Sequence, residues 1–162
     1  MRPSLRLLVS HPAHFLSLGL GSGLAPKAPG TFGSFAAWLV YILLAALLPA
    51  VPAWLTWVAL LLAFVVGVFC IPKTGQALGE VDHGAIVWDE FVAVWLVLLC
   101  LPAGGWWQLA GVLVFRFFDI LKPWPIRVAD ARLKNGFGVM FDDLLAAGYT
   151  LLCLLLIARV LP

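Results

Sequence analysis

The 162-residue sequence is short of charge. Only 11% of its residues are Asp, Glu, Lys or Arg, and 64% are apolar; a soluble domain carries about a quarter charged residues. The net charge of +2 is too small to argue for nucleic acid as a partner. Cysteine is scarce as well. Cys70, Cys100 and Cys153 fall in or at the ends of apolar segments with no Cys-x-x-Cys spacing, so they read as small hydrophobes. No strand-like alternation, repeat or low-complexity tract is present. Arg2 and Arg6 precede a short apolar patch, but His11, Pro12 and His14 interrupt it and no cleavage-like site follows. That reads against a cleaved signal peptide.

Hydrophobic runs are what the chain has in abundance. With a mean hydropathy of +1.07, it reads as an all-α, multi-pass helical membrane protein forming a single domain over residues 1–162. Five apolar stretches can be drawn: Phe32 to Leu48, Ala53 to Ile71, Ile86 to Leu101, Trp106 to Leu121 and Val139 to Arg159. Pro49, Pro72, Pro102 and Pro123 stand at the ends of the first four and are read as their stops. A span needs roughly 20 residues. The second and fifth satisfy this, the first does so narrowly, and the third and fourth are short enough to be tilted, sheltered by neighbours or incompletely spanning. The expectation is about five transmembrane or membrane-embedded helices. Phe15 to Leu24, apolar but glycine-rich, reads as a short N-terminal interfacial helix or loop. Trp54, Trp57, Trp106 and Trp107 sit at edges of apolar runs, where an aromatic belt belongs.

The bases fix an orientation. In a five-span path the gaps Met1–Thr31, Pro72–Ala85 and Lys122–Gly138 share one side. They hold Arg2, Arg6, Lys27, Lys73, Lys122, Arg127, Arg132 and Lys134, against Arg159 alone opposite. The bias predicts a cytoplasmic N-terminus and cytoplasmic long loops.

The acids then become informative. Of eight Asp and Glu, Asp89, Glu90, Asp119, Asp142 and Asp143 lie at the ends of apolar stretches. A carboxylate beside hydrocarbon costs several kcal/mol (~2.5 or more) unless paired or metal-bound. In the predicted topology all five, with Thr31 and Arg116, fall at the cytoplasmic ends of the helices, at one depth. Four segments carry this pattern. In Ala28-Pro29-Gly30-Thr31-Phe32-Gly33-Ser34, Thr31 reads as an N-cap. The ordinary reading is a capped helix start; the functional one is a phosphate site on free N–H groups, with Lys27 upstream. In Asp82 to Glu90, the adjacent Asp89 and Glu90 repel each other unless a cation sits between them, and oxygen-only ligands suit Mg²⁺. Favourable helix-dipole acids are the alternative, and His83 reads as a solvated loop side chain. Arg116, Asp119 and Lys122 share one helix face, as an ion-pair ladder or as a phosphate clamp around a metal ligand. Asp142 and Asp143 enter the fifth stretch in what reads as its first turn. Adjacent helical residues diverge by about 100°, so one of them meets a ligand and the other supports it.

Gly21-Ser22-Gly23-Leu24-Ala25-Pro26, Pro29 to Ser34, Asp82 to Glu90, Phe115 to Pro125 and Gly138 to Asp143 together resemble the phosphatidylglycerophosphatase A family over nearly the whole chain. The strings Ile86-Val87-Trp88-Asp89-Glu90-Phe91-Val92 and Phe115-Arg116-Phe117-Phe118-Asp119-Ile120-Leu121-Lys122-Pro123-Trp124-Pro125-Ile126 carry most of the resemblance. Ala93 departs from it, since the family is expected to favour Gly there. The resemblance implies an all-helical Mg²⁺-dependent lipid phosphatase of the bacterial cytoplasmic (inner) membrane, with its site on the cytosolic side. Its substrate would be phosphatidylglycerophosphate in the bilayer, and its products phosphatidylglycerol and inorganic phosphate. The expected metal set is Asp82, Asp89, Glu90, Asp142 and Asp143. Arg116, Asp119, Lys122 and Thr31 form the expected catalytic set. Lys27, Gly30, Thr31, Gly33, Ser34, Arg116 and Lys122 are expected to bind substrate. The nucleophile is a metal-activated water or, second, Asp119 itself. An acid-phosphatase-like enzyme would want a Pro-Ser-Gly-His setting and a CDP-alcohol phosphotransferase an Asp-Gly-x-x-Ala-Arg string; neither occurs. A cation transporter would want charges near mid-bilayer on facing helices, where this chain has almost none.

Overall fold

The computed structural model describes residues 3–160, so Arg2, one of the N-terminal bases, lies outside them. Every element among the described residues is helical. Two short helices, α1 (Leu5–Ser10) and α2 (Pro12–Ser17), lead into a 3-10 turn at Gly19–Leu24. Five longer helices follow: α3 (Pro29–Leu47), α4 (Ala53–Leu78), α5 (Trp88–Cys100), α6 (Gly105–Leu121) and α8 (Gly136–Val160). The short α7 (Ile126–Arg132) lies between the last two. The N-terminal segment is thus more structured than the interfacial helix or loop expected at Phe15 to Leu24, and α7 falls in what reads as a loop after Pro125.

Among the described residues, only α3, α4 and α8 are both long and apolar enough to cross a membrane. α5 has 13 residues, about 20 Å at 1.5 Å per residue against a hydrocarbon core of about 30 Å. It is sheltered instead. α3, α4, α6 and α8 all pack against it, and Phe91, Val92, Ala93, Val94 and Val97 are fully enclosed. Three tryptophans tie the helices together through ring N–H groups, two of them from α5 and one from α3 to α6. Trp95 donates to Ala37 O (2.9 Å), Trp88 to Ala63 O (3.0 Å) and Trp38 to Gln108 Oε1 (2.9 Å). In an apolar surrounding such donors must be satisfied internally.

Three helix boundaries differ from the sequence reading. Pro72 does not end its helix: α4 runs on to Leu78, with Pro72 inside it. A proline removes one N–H but leaves the apolar face intact, and bundle helices tolerate that loss. The true stop is Gly79, whose φ of +91° lets its N–H reach Gly75 O at 2.8 Å. Thr31 is not an N-cap. Pro29 at the first helical position starts α3, Ala28 caps it in a left-handed conformation, and the Thr31 N–H donates back to Ala28 O at 2.9 Å. α8 begins at Gly136, where Asn135 Oδ1 accepts the Gly138 N–H at 2.8 Å. Asp142 and Asp143 therefore sit beyond its first turn, too deep for the helix dipole to account for them.

The N-terminal segment buttresses the start of α5. Ser17 O accepts the Val87 N–H at 2.9 Å, immediately before α5 begins. The turn at Gly19–Leu24 presses against the same strip of chain. A Cβ built on Gly23 would overlap the carbonyl oxygen of Ala85 and stand 3.2 Å from its carbon. Backbone cannot yield as a side-chain tip can. Gly23→Ala is expected to destabilise the protein by about 1–3 kcal/mol, read as a lower thermal midpoint in detergent. An unchanged midpoint would mean that the contact is not tight in solution.

Candidate active site

α3, α5 and α8 start at one end of the bundle, and α6 finishes there. The path of the chain therefore delivers their terminal side chains to a common place. A cavity of about 360 Å³ lies between them. Its wall includes Gly30, Asp82, Asp89, Glu90, Arg116, Asp119, Lys122, Asp142 and Asp143. Nine residues singled out in the sequence are thus brought together. Six are carboxylates and two are cations.

The two cations stand between the acids. Arg116 Nη1 lies 2.9 Å from Glu90 Oε1 and 2.5 Å from Asp119 Oδ2. Lys122 Nζ lies 2.5 Å from Asp142 Oδ2, 3.4 Å from Asp130 Oδ1 and 4.0 Å from Asp119 Oδ1. Lys134 continues the chain outward, 3.5 Å from Asp130 and 3.3 Å from Asp82. Burial works against the charge on Lys122, but the hydrogen bond it donates to Asp142 and the fields of Asp142, Asp119 and Asp143 outweigh it and hold its pKa above the usual lysine value. Burial would raise the Asp130 carboxyl; Lys122 and Lys134 overcome this and lower it.

Not every ionic atom is satisfied. Asp143 Oδ2 and Arg116 Nε are buried without a hydrogen-bond partner. Asp143 is within electrostatic reach of Asp119, Asp89, Asp142 and Glu90. Asp89 Oδ1 accepts the Glu90 N–H at 3.0 Å. A buried wall with acids in such excess, and with an orphaned acceptor and an orphaned donor, is unstable alone. It can take a cation and an anion together.

The remaining expected residues lie behind or beside the wall. Ser34 Oγ is 3.0 Å from Glu90 Oε2 and 3.0 Å from Gly30 O, so it holds Glu90 in place. Gly33 packs on Val87 and Glu90. Gly30 lets the start of α3 close over the ion pair: a Cβ there would overlap Glu90 Oε1 and come within 2.9 Å of Arg116 Nη2. Thr31 and Lys27 are not on the cavity wall, and Lys27 is exposed on the bend before α3. Among the described residues no three His, Cys, Asp or Glu side chains converge as a ready metal cage, because Arg116 and Lys122 separate them.

Comparison with known proteins decides the family. The sequence profile described as phosphatidylglycerophosphatase A matches residues 15–158. The chain belongs to the phosphatidylglycerophosphatase A family. It is 46% identical over 151 residues to the phosphatidylglycerophosphatase A of Haemophilus influenzae, covering 93% of this chain and 91% of that protein. Its identity to the phosphatidylglycerophosphatase A of Escherichia coli is 43% over 142 residues, covering 87% and 80%. A Bacteroides thetaiotaomicron protein with the provisional name of a phosphatidylinositol-3-phosphatase is 38% identical over 148 residues, covering 89% and 91%. No solved structure matches the chain. As a member of the phosphatidylglycerophosphatase A family, the chain is a phosphatase, and its long apolar helices make it a membrane protein.

Asp130 is the member of the network that sequence reasoning missed. Its signal was present: Asp130 and Lys134 are spaced i, i+4. Lys134 is more than half exposed, so Lys134→Ala is expected to cost under about 1 kcal/mol. That difference should shrink further in high salt. A loss of several kcal/mol in a thermal-shift series would show that the outer pairs hold the cavity closed.

Proposed function

We propose that the protein hydrolyses phosphatidylglycerophosphate to phosphatidylglycerol and inorganic phosphate with Mg²⁺ at this cavity, on the cytosolic face of the bacterial inner membrane. The observation that carries the reading is the charged cavity at one end of the bundle, with Arg116 Nε and Asp143 Oδ2 buried and unsatisfied. The names of the two phosphatidylglycerophosphatase A relatives supply the substrate. The excess of bases in the gaps at the cavity end supplies the orientation.

The donor set fits Mg²⁺. It is all oxygen, and its acids outnumber its cations. Mg²⁺ commonly takes one or two carboxylates and completes its sphere with waters and phosphate oxygens, so it needs no three-residue cage. Asp89 and Asp143 are the residues assigned to hold it, with Asp142 and Glu90 beside them on Lys122 and Arg116. When bound, the ion supplies Lewis-acid neutralisation of phosphoryl charge.

The chain's own groups do the rest. Arg116, held by Glu90 and Asp119, presents its free Nε to a phosphate oxygen. The first turn of α3, packed over Arg116 at Gly30, adds its helix dipole. Lys122 neutralises further charge. Water attacks phosphorus, the bond from phosphorus to the lipid's glycerol oxygen breaks, and a proton lost by the water ends on that oxygen to give the alcohol. Asp143 Oδ2 is the acceptor placed to orient that water. Asp119 is pinned by Arg116 on one oxygen, which favours water over Asp119 as the nucleophile.

The test is phosphate release from a panel of lipid phosphates by purified protein. Phosphatidylglycerophosphate is expected to be the best substrate, with activity lost on chelation and restored by Mg²⁺. Full activity in excess chelator, or preference for a phosphoinositide, would overturn the metal or the headgroup assignment respectively.

A further inference from the structure

The cavity wall is mostly ionic, and its apolar side chains are Ala28, Pro29, Ile86 and Ile120. Ile86 is buried, and Ile120 is the large one that is also exposed, at 71%. One residue is thus both wall and outer surface, directly beside the pairs that Arg116 and Lys122 make. It also starts a stripe. Leu113, Phe117, Ile120 and Leu121 are spaced i, i+4, i+7 and i+8 on α6, and all four are large, apolar and more than half exposed. From Ile120 to Leu113 the stripe descends about 10 Å at 1.5 Å per residue, within the ~15 Å depth of one hydrocarbon leaflet. Arg116, whose Nε is unsatisfied, and Ile120 therefore share the cavity wall, and the apolar track runs outward from Ile120.

A soluble phosphate ester needs only the cavity. An amphiphile needs a wall that its head can pass while its tails stay in lipid. α3 also shows exposed apolar residues, Phe32, Phe35 and Leu39, but none of them is on the cavity wall. α3 reaches the wall only through its small first residues, Pro29 and Gly30, and the cap Ala28, whereas the α6 stripe places a large exposed side chain, Ile120, on it.

We propose that the diacyl phosphate substrate enters sideways from the bilayer over Ile120, with an acyl chain lying along the outer α6 stripe, and that Ile120 sets the preference for long-chain lipid phosphates. This rests on the phosphatase reading above. A polar group at that rim draws water there, and an acyl chain crossing it must strip that water. Leaving an amide without its hydrogen bonds lowers the rate constant about tenfold when it costs about 1.4 kcal/mol, toward the low end of the usual penalty. A substrate with chains too short to reach the stripe escapes this cost.

The test uses full-length protein in detergent micelles, with phosphatidylglycerophosphate bearing two oleoyl or two hexanoyl chains. Wild type is expected to show a higher kcat/KM for the dioleoyl lipid. Ile120→Asn should lower the dioleoyl value about tenfold while leaving the dihexanoyl value within about twofold. Ile120→Leu should restore the preference. Leu39→Asn, equally lipid-facing but off the wall, should leave the ratio unchanged. Equal wild-type rates for both chain lengths would overturn the proposal, as would an Ile120→Asn variant that loses both substrates in parallel. Failure of wild type on both lipids would instead overturn the phosphatase assignment, and the inference with it.

Discussion

Asp89→Asn and Asp143→Asn each lose phosphate release by at least about 10²–10³-fold while the protein inserts and folds normally. Both residues are buried at the cavity, and Asn keeps their shape while removing charge. The substitutions act in opposite directions on stability and activity. Among six wall carboxylates and two cations, deleting one negative charge relieves repulsion, so the thermal midpoint stays level or rises. The same deletion removes the ligand to which a divalent ion would bind. Stability kept or gained with activity lost is the signature of a functional charge held against the preference of the fold. Thermal scans and phosphate release on the same preparations check it. Wild-type turnover in either variant would remove that residue from the metal assignment.

Arg116 gives the second large effect, and there stability and activity fall together. Its guanidinium is the cation nearest to both Glu90 and Asp119. Arg116→Ala strands two largely buried carboxylates, a change that costs about 3–5 kcal/mol in comparable pairs. The variant is expected to melt early and accumulate poorly. Arg116→Lys separates the two roles. It keeps a positive charge for Glu90 and Asp119, so most of the stability returns. It has no fork and no Nε, so phosphate release stays down by about 10²-fold. A lysine variant working at the wild-type rate would show that charge alone suffices at this position.

How much of this was legible in the sequence follows from what hydrocarbon forbids. Charges are excluded from the middles of the apolar helices, so Asp89, Glu90, Arg116, Asp119, Asp142 and Asp143 had to be at helix ends. Alternating passes through the bundle then put those ends together. The all-helical class followed from the same runs. What was not legible depends on distance through space. Nothing in periodicity pairs Ser34 with Glu90, 56 positions apart, or shows that Lys122 turns to Asp142 and Asp130. The sequence brings carboxylates and bases to one depth; which acid each base pairs with, Arg116 with Glu90 and Asp119 and Lys122 with Asp142 and Asp130, shows only in the structure. Local rules failed where tertiary packing overrides them. Pro72 reads as a stop, yet α4 continues because its neighbours still cover its inner face. Thr31 reads as a cap, yet Pro29 takes the first helical position. α5 reads as too short to span, and the reason is visible only in the bundle, where four other helices enclose it.

Carboxylates from α5 and α8 are proposed to serve the same divalent ion. Mn²⁺, standing in for Mg²⁺, tests it directly by electron paramagnetic resonance on the purified protein in detergent. Wild type is expected to bind the ion. Asp89→Asn and Asp143→Asn should each weaken binding by about 10-fold or more, with the double variant losing less than the two effects combined because both act on one ion. Wild-type Mn²⁺ affinity in both single variants, or independent additive losses in the double, would contradict it.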